Sequence, residues 1–279
     1  MQIFPKIPLA QWVEEVVTYL TTTFGGLFNN LSIAIQWFVD LLVTILSSVP
    51  ALALIGIFTI IAWWTSRWGV ALFTLVGLLF INNLGYWPAT IDTLALVLTS
   101  VIISIIIGIP FGIWASQSDT VKNLATPVLD FMQTMPAFVY LIPSILFFGI
   151  GVVPGIIASV IFAMPPTIRL TNLGIRQVPE DLIEAANAFG STTRQKLYKI
   201  ELPLAMPTIM AGINQSIMLA LSMVVIASLV GAPGLGADVY RAVTQIRVGI
   251  GFEAGLSIVI LAIMLDRISQ NIGRGKTEN

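Results

Sequence analysis

Long stretches of this chain carry no charged residue at all: Leu41–Ser66, Trp68–Ile91, Thr93–Ser118, Phe131–Ile168, Leu202–Ala237 and, more briefly, Ala254–Leu265. A charged side chain at the centre of a membrane-spanning helix costs about 2.5–3.5 kcal/mol on insertion scales, so charge-free runs of roughly 20 residues mark segments able to cross about 30 Å of hydrocarbon. A water-soluble chain would have to bury nearly all of these runs at once. With 57% hydrophobic and 10% charged residues among 279, against about a quarter charged in an ordinary soluble domain, there is too little polar surface to cover such a core. The sequence therefore predicts an all-α fold, a polytopic membrane helical bundle.

The Phe131–Ile168 run is too long for one crossing, and Gly149-Ile150-Gly151-Val152-Val153-Pro154-Gly155 divides it, because Gly and Pro favour a turn over helix continuation. About seven transmembrane helices result: Ala51–Ser66, Trp68–Leu84, Thr90–Ser116, Pro127–Gly149, Pro154–Ile175, Leu204–Val230 and Glu253–Gln270. In the last of these, Glu253, Asp266 and Arg267 fit the two interfaces, where charge costs little. Two N-terminal segments differ in kind. In Gly26–Ser48 the polar residues Asn29, Ser32, Gln36, Asp40, Thr44 and Ser47 share one helical face, as in a helix lying in the interface. An eighth span with a polar stripe is the alternative. Ala10–Phe24 sets Trp12, Val13, Val16, Val17 and Leu20 against Glu14, Glu15 and Thr18, the pattern of another amphipathic surface helix. The chain thus divides into an N-terminal amphipathic segment (1–50), two additional transmembrane helices (51–89) and a core (90–279).

Orientation follows from Lys and Arg, which are retained on the cytoplasmic side. Seven spans with a cytoplasmic C-terminus gather Arg67, Lys122, Arg169, Arg176, Arg194, Lys196, Lys199, Arg267, Arg274 and Lys276 at the inner face, leaving Lys6, Arg241 and Arg247 outside. Trp63, Trp64, Trp68 and Trp114 then flank the inner interface and Trp87 the outer one, as an aromatic belt would. Glu14 and Glu15 with only Lys6 before Phe24 do not make a signal peptide, so the N-terminus is expected to be retained. The chain has no Cys and no His, which excludes disulfides, thiolate or imidazole catalysis and the usual zinc or haem ligands. A net charge of −1 without a basic arm gives no electrostatic case for nucleic acid. Neither a catalytic set, a metal site nor a bound cofactor is expected in this chain.

The longest polar insertion, about 177–203, is cytoplasmic on this topology. Pro179 opens a helix with Glu180 and Asp181 in its first turn, where the dipole favours carboxylates. Leu182, Ala185, Ala186 and Phe189 share a face, and Gly190 is placed to end the helix at positive φ. A second short helix, Thr192–Ile200, brings Arg194, Lys196 and Lys199 before Leu202-Pro203 starts the next span. A helix with a shallow apolar face held at the membrane surface suits docking into a groove of another protein. The register Glu184-Ala185-Ala186, Gly190, Ile200, Leu202-Pro203 resembles in full spacing the EAA loop of ABC importer permeases. The segments Asp130–Tyr140, Ala163–Arg169, Gly212–Met218 and Val230–Gly236 are similar to the glycine betaine, proline betaine and choline branch of that family, and the resemblance covers roughly Ala51–Arg274. It implies the type I ABC importer permease architecture in a bacterial cytoplasmic membrane. It further implies a permease homodimer, two cytosolic ABC ATPase subunits that hold ATP and Mg, and an external substrate-binding protein that selects the osmoprotectant. Glu184, Ala185, Ala186, Phe189, Gly190, Ile200, Leu202 and Pro203 would then couple the ATPase to the membrane helices.

Polar side chains inside spans are tolerated where they line a cavity or meet another helix. Gln133, Thr134 and Tyr140 in the fourth span and Asn214, Gln215, Ser216 and Ser222 in the sixth are the candidate translocation pathway. Helix–helix hydrogen bonding is the competing role for them. Gly231, Pro233, Gly234 and Gly236, at the outer end of the sixth span, are candidates for an outer gate. Pro136, Pro143, Pro165 and Pro166 are expected to bend their helices. An ion-coupled secondary transporter would normally carry an intramembrane carboxylate or His, yet Asp92, Asp130 and Asp266 fall near span ends, and no internal repeat is visible.

Overall fold

The computed structural model describes residues 8–273, and these form helices joined by turns and short loops, with no strand among them. A long N-terminal helix α1 (Leu9–Ser48) precedes an apolar pair, α2 (Ala51–Thr65) and α3 (Trp68–Asn83). Then come α4 (Trp87–Gln117), α5 (Asp119–Thr134), α6 (Ala137–Phe148) and α7 (Val152–Arg176). Two short helices, α8 (Glu180–Ala188) and α9 (Thr193–Lys196), lead through a π turn (Leu197–Glu201) into α10 (Leu202–Ser228). The chain continues as α11 (Leu235–Thr244) and α12 (Val248–Gly273).

The main core lies where α4, α7 and α10 cross, with Leu96, Ile156, Val224 and Ala227 at its centre. Lipid tails are as apolar as these side chains, so close packing and hydrogen bonds hold such helices together instead of water exclusion. Both devices are present. At Gly112 a Cβ would come within 2.6 Å of the Thr171 Cβ and 2.8 Å of the Ile168 carbonyl, so only glycine lets α4 approach α7 this closely. The buried Thr167 hydroxyl of α7 donates to Ser216 Oγ of α10 at 2.7 Å, and Ser216 in turn donates to the Ala163 carbonyl.

The expected spans are refined in three places. First, α4, α7, α12 and the continuous Thr193–Ser228 helix are each long and apolar enough to cross a membrane, whereas α2 and α3 have only 15 and 16 residues. Second, the expected Pro127–Gly149 span is two helices, α5 and α6, bent by 99° at Met135–Pro136. Pro136 cannot donate to the carbonyl of Met132, which stops the helical ladder there. By contrast, α7 runs unbroken through Pro165 and Pro166. Third, the two expected N-terminal helices are one helix of 40 residues. Gly25 and Gly26 cost a helix only about 1 kcal/mol each, less than opening backbone hydrogen bonds beside lipid. By length and composition α1 qualifies as a span. Its contacts nonetheless pass from element to element: Phe28 stacks on Phe147 at 4.6 Å, Ile35 and Val39 enter the α4–α7–α10 core, and Leu46 reaches the cluster of α2, α3 and α12.

The bundle has two distinct ends. At one, Arg176 pairs with Asp119 at 2.7 Å and donates to the Ala115 carbonyl at 3.0 Å, while Ser66 donates to the Arg267 carbonyl at 3.0 Å. The first contacts join the C-terminal turn of α7 to the α4–α5 junction, and the last joins the α2–α3 turn to the last turns of α12. Arg67, Lys122, Arg176, Arg194, Lys196, Lys199 and Arg267 belong to this end. Arg241 and Arg247 belong to the other, where Gly151 N–H donates to the Val230 carbonyl at 2.8 Å and Tyr86 meets Glu253 at 3.4 Å. Lys6, Arg274 and Lys276 lie outside the described residues.

Candidate functional site

The loop after α7 is built by local capping. Pro179 precedes α8, Glu180 and Asp181 occupy its first turn, and Gly190 ends it at φ 74°. Gly190 N–H donates to Asn187 O and Ser191 N–H to Ala186 O, both at 3.0 Å, which satisfies carbonyls a helix end leaves open. A capping box then starts α9: Thr192 Oγ1 accepts from Gln195 N–H while Gln195 Oε1 accepts from Thr192 N–H. The face expected of α8 divides. Ala186 is buried against the loop, whereas Glu184 and Ala185 are exposed and Phe189 is 90% exposed. Ile200 is half-buried, Leu202 packs with Ile175, Leu197, Ala205 and Ile209, and Pro203 is exposed directly after the π turn. Because α9, the π turn and α10 form one helix from Thr193 to Ser228, a force on the loop acts directly on a core helix.

Between α5, α7, α10 and α12 lies an open-sided cleft of about 720 Å3. Gln133, Asn214 and Gln215 from the sequence candidates line it, together with Met218, Asp266 and Gln270. Arg169 donates to Gln133 Oε1 at 2.8 Å and pairs with Asp130, so an ion pair fastens α7 to α5 beside the cleft. Asn214 Oδ1 is buried without a partner, and Gln270 donates to Asp266 Oδ1 at 2.7 Å. The other four candidates have different neighbours. Thr134 is exposed and donates to Asp130 O; Ser222 is exposed and donates to Leu219 O. Ser216 sits in the α7–α10 contact. Tyr140 is buried and donates to the carbonyls of Phe131 and Met132, just ahead of the Pro136 break. Asp266, expected near an interface, lines the cleft beside Gln270, which is not among the sequence candidates. Their spacing of four on one helix face was the available signal.

The Gly231–Gly236 loop is wedged into the opposite end. Gly231 and Gly234 have φ of 96° and 109°, and Pro233 is exposed. A Cβ at Gly234 would lie 2.6 Å from Thr93 Oγ1, and one at Gly236 would strike the Val224 carbonyl. Thr93 Oγ1 accepts from Leu235 N–H at 2.9 Å, fixing the start of α11 on α4. On α11, burial pushes the Asp238 carboxyl above its usual range, and the Arg241 guanidinium 2.8 Å away opposes the rise.

Residues 108–277 match the family described as binding-protein-dependent transport system inner membrane component. The chain is 63% identical over 272 residues to the glycine betaine transport system permease protein OpuAB of Bacillus subtilis, covering 98% of this chain and 96% of that protein. It is 55% identical to the glycine betaine/carnitine transport permease protein GbuB of Listeria monocytogenes, over 97% of each chain. Among solved structures it is similar in fold to a chain of the inward-facing MetNI methionine ABC transporter, with TM-score 0.62 and 22% identity over 67% of this chain and 94% of that one.

Proposed function

Because this chain belongs to the binding-protein-dependent transport system inner membrane component family, we infer that it is the multi-pass permease of an ATP-driven importer in a bacterial inner membrane. We propose glycine betaine or a related quaternary-ammonium osmoprotectant as its cargo. The observation that carries the mechanism is the capped helix α8: it presents Glu184, Ala185 and Phe189 on an exposed face suited to docking, and the helix beyond it runs without interruption into the core. Two cytosolic ATPase subunits, holding ATP and Mg themselves, would grip this surface on a permease homodimer. Closure of the nucleotide sites then pulls α10 through the π turn, and an external binding protein delivers cargo at the end that carries α11. On this reading the C-terminus is cytoplasmic, Gln133, Asn214 and Gln215 line the route, and Gly231–Gly236 forms the outer gate.

The relatives' names support the cargo class, and the cleft suits it chemically. Its walls are mostly amides, methionines, prolines and small aliphatic side chains, with one carboxylate, Asp266, and no aromatic face among the lining residues. Tight cation–π recognition of a quaternary ammonium therefore belongs to the binding protein, and the cleft offers weak polar contacts that let cargo leave. The test is reconstitution with the ATPase and binding protein. Uptake should require ATP on the α8 side and binding protein on the other. Glu184→Ala should lower uptake per ATP hydrolysed by roughly five- to a hundredfold, the span of common coupling energies, without unfolding the bundle. Uptake driven by an ion gradient through this chain alone would reject the importer in favour of a secondary carrier.

A further inference from the structure

We propose that Asp266 gives the cleft a fixed negative charge that receives the cationic head of the cargo, making it a specificity-determining residue of the permease. This rests on the cleft being the transport route. Asp266 is the only residue with an ionisable side chain among those that line the cleft. Gln270 donates to one of its carboxylate oxygens at 2.7 Å, which orients the group without neutralising it. Among the described residues no Lys or Arg forms an ion pair with it. Arg169, which borders the cleft through Gln133, is already paired with Asp130 and so brings little net positive charge. The buried, unpartnered Oδ1 of Asn214 adds the negative end of a dipole on the facing helix. Met210, Met218 and Pro207 complete apolar walls of low dielectric, and such walls focus the field of a single charge into the space between them. A zwitterion can turn its ammonium toward Asp266 while its carboxylate meets the exposed amide of Gln215. One carboxylate partly open to water holds a cation weakly, as a route requires and a storage site does not.

The chain contains no cysteine, so one introduced thiol reports on the field inside the cleft. Ala211 lines the cleft and is exposed. In the complete importer carrying Ala211→Cys, rates of modification are compared for a trimethylammonioethyl and a sulfonatoethyl methanethiosulfonate, each normalised to a free thiol. The cation-to-anion ratio should fall by about fivefold or more in Asp266→Asn at low salt, as expected for one charge several ångströms away in a partly solvated site. It should return in Asp266→Glu, and Asp266→Asn should also lower betaine uptake per ATP hydrolysed by about fivefold. A ratio unmoved by Asp266→Asn would overturn the proposal. A ratio that falls while uptake is untouched would equally overturn the role in cargo handling. Absence of ATP-driven uptake in the unsubstituted complex would count instead against the importer reading, with the charge ratio still measurable.

Discussion

Thr93 is fully buried on α4, and its hydroxyl does two things: it donates to Ala89 O at 2.8 Å and accepts from Leu235 N–H at 2.9 Å. Thr93→Val keeps the shape and removes the acceptor, leaving a buried N–H at the start of α11 without a partner. Stability should fall by about 1–3 kcal/mol, read as a lower unfolding temperature in detergent, and Thr93→Ser should restore most of it. Should Gly231–Gly236 serve as the outer gate, the valine variant will also leak cargo without ATP. Single polar residues were the hardest feature to assign from sequence. Ser216 and Asn214 lie two positions apart in one span and both looked like lining residues, yet Ser216 bonds across to Thr167 while Asn214 faces the cleft. A polar residue in a span satisfies the same rule whether it meets a neighbouring helix or a cavity, so composition and spacing cannot separate the two.

At the scale of elements, the α5–α6 bend shows how a break inside an apolar medium is satisfied. Pro136 leaves the Met132 carbonyl without its helical donor, and the buried Tyr140 hydroxyl, one turn later, supplies a replacement to Met132 and to Phe131 at 3.1 Å. Tyr140→Phe should therefore cost about 1–3 kcal/mol, a loss measurable by thermal unfolding, and should loosen the 99° angle between the helices. The proline was legible in the sequence as a bend; the brace was not, because Tyr140 and Met132 meet only after the chain has turned. Helix α8 was legible almost residue by residue, since its start, its acidic first turn and its glycine stop are all local signals. Its face was less so: Ala186 turns inward while Phe189 stands 90% exposed. Phe189→Ala should thus change stability by no more than about 0.5 kcal/mol while lowering uptake per ATP. A stability loss of several kcal/mol would show that Phe189 packs within its own subunit.

For the whole molecule, the charge-free runs announce the bundle and the clustering of Lys and Arg announces its two ends, because both follow from one-dimensional rules about burying charge in lipid. The N-terminal helix escaped those rules. Val16–Val39 carries no charge and could cross a bilayer, yet Phe28 stacks beside the Gly149–Gly151 turn and Ile35 and Val39 pack on α4 and α7 further along. A helix crossing the membrane from Ser48 would carry Asn29 about 28 Å away from that end of the bundle at 1.5 Å per residue. The Phe28 stack instead holds Asn29 near the end that bears α11. Single cysteines at Ser191, Ala237 and Asn29 in this cysteine-free chain separate these arrangements. An impermeant thiol reagent applied to inverted vesicles should modify Ser191→Cys alone, and applied to right-side-out vesicles it should modify Ala237→Cys and Asn29→Cys. Ser191 and Ala237 reacting from one side would overturn the orientation drawn from Lys and Arg, whereas Asn29 reacting from the Ser191 side would make α1 an eighth crossing and move the N-terminus to the cytoplasm.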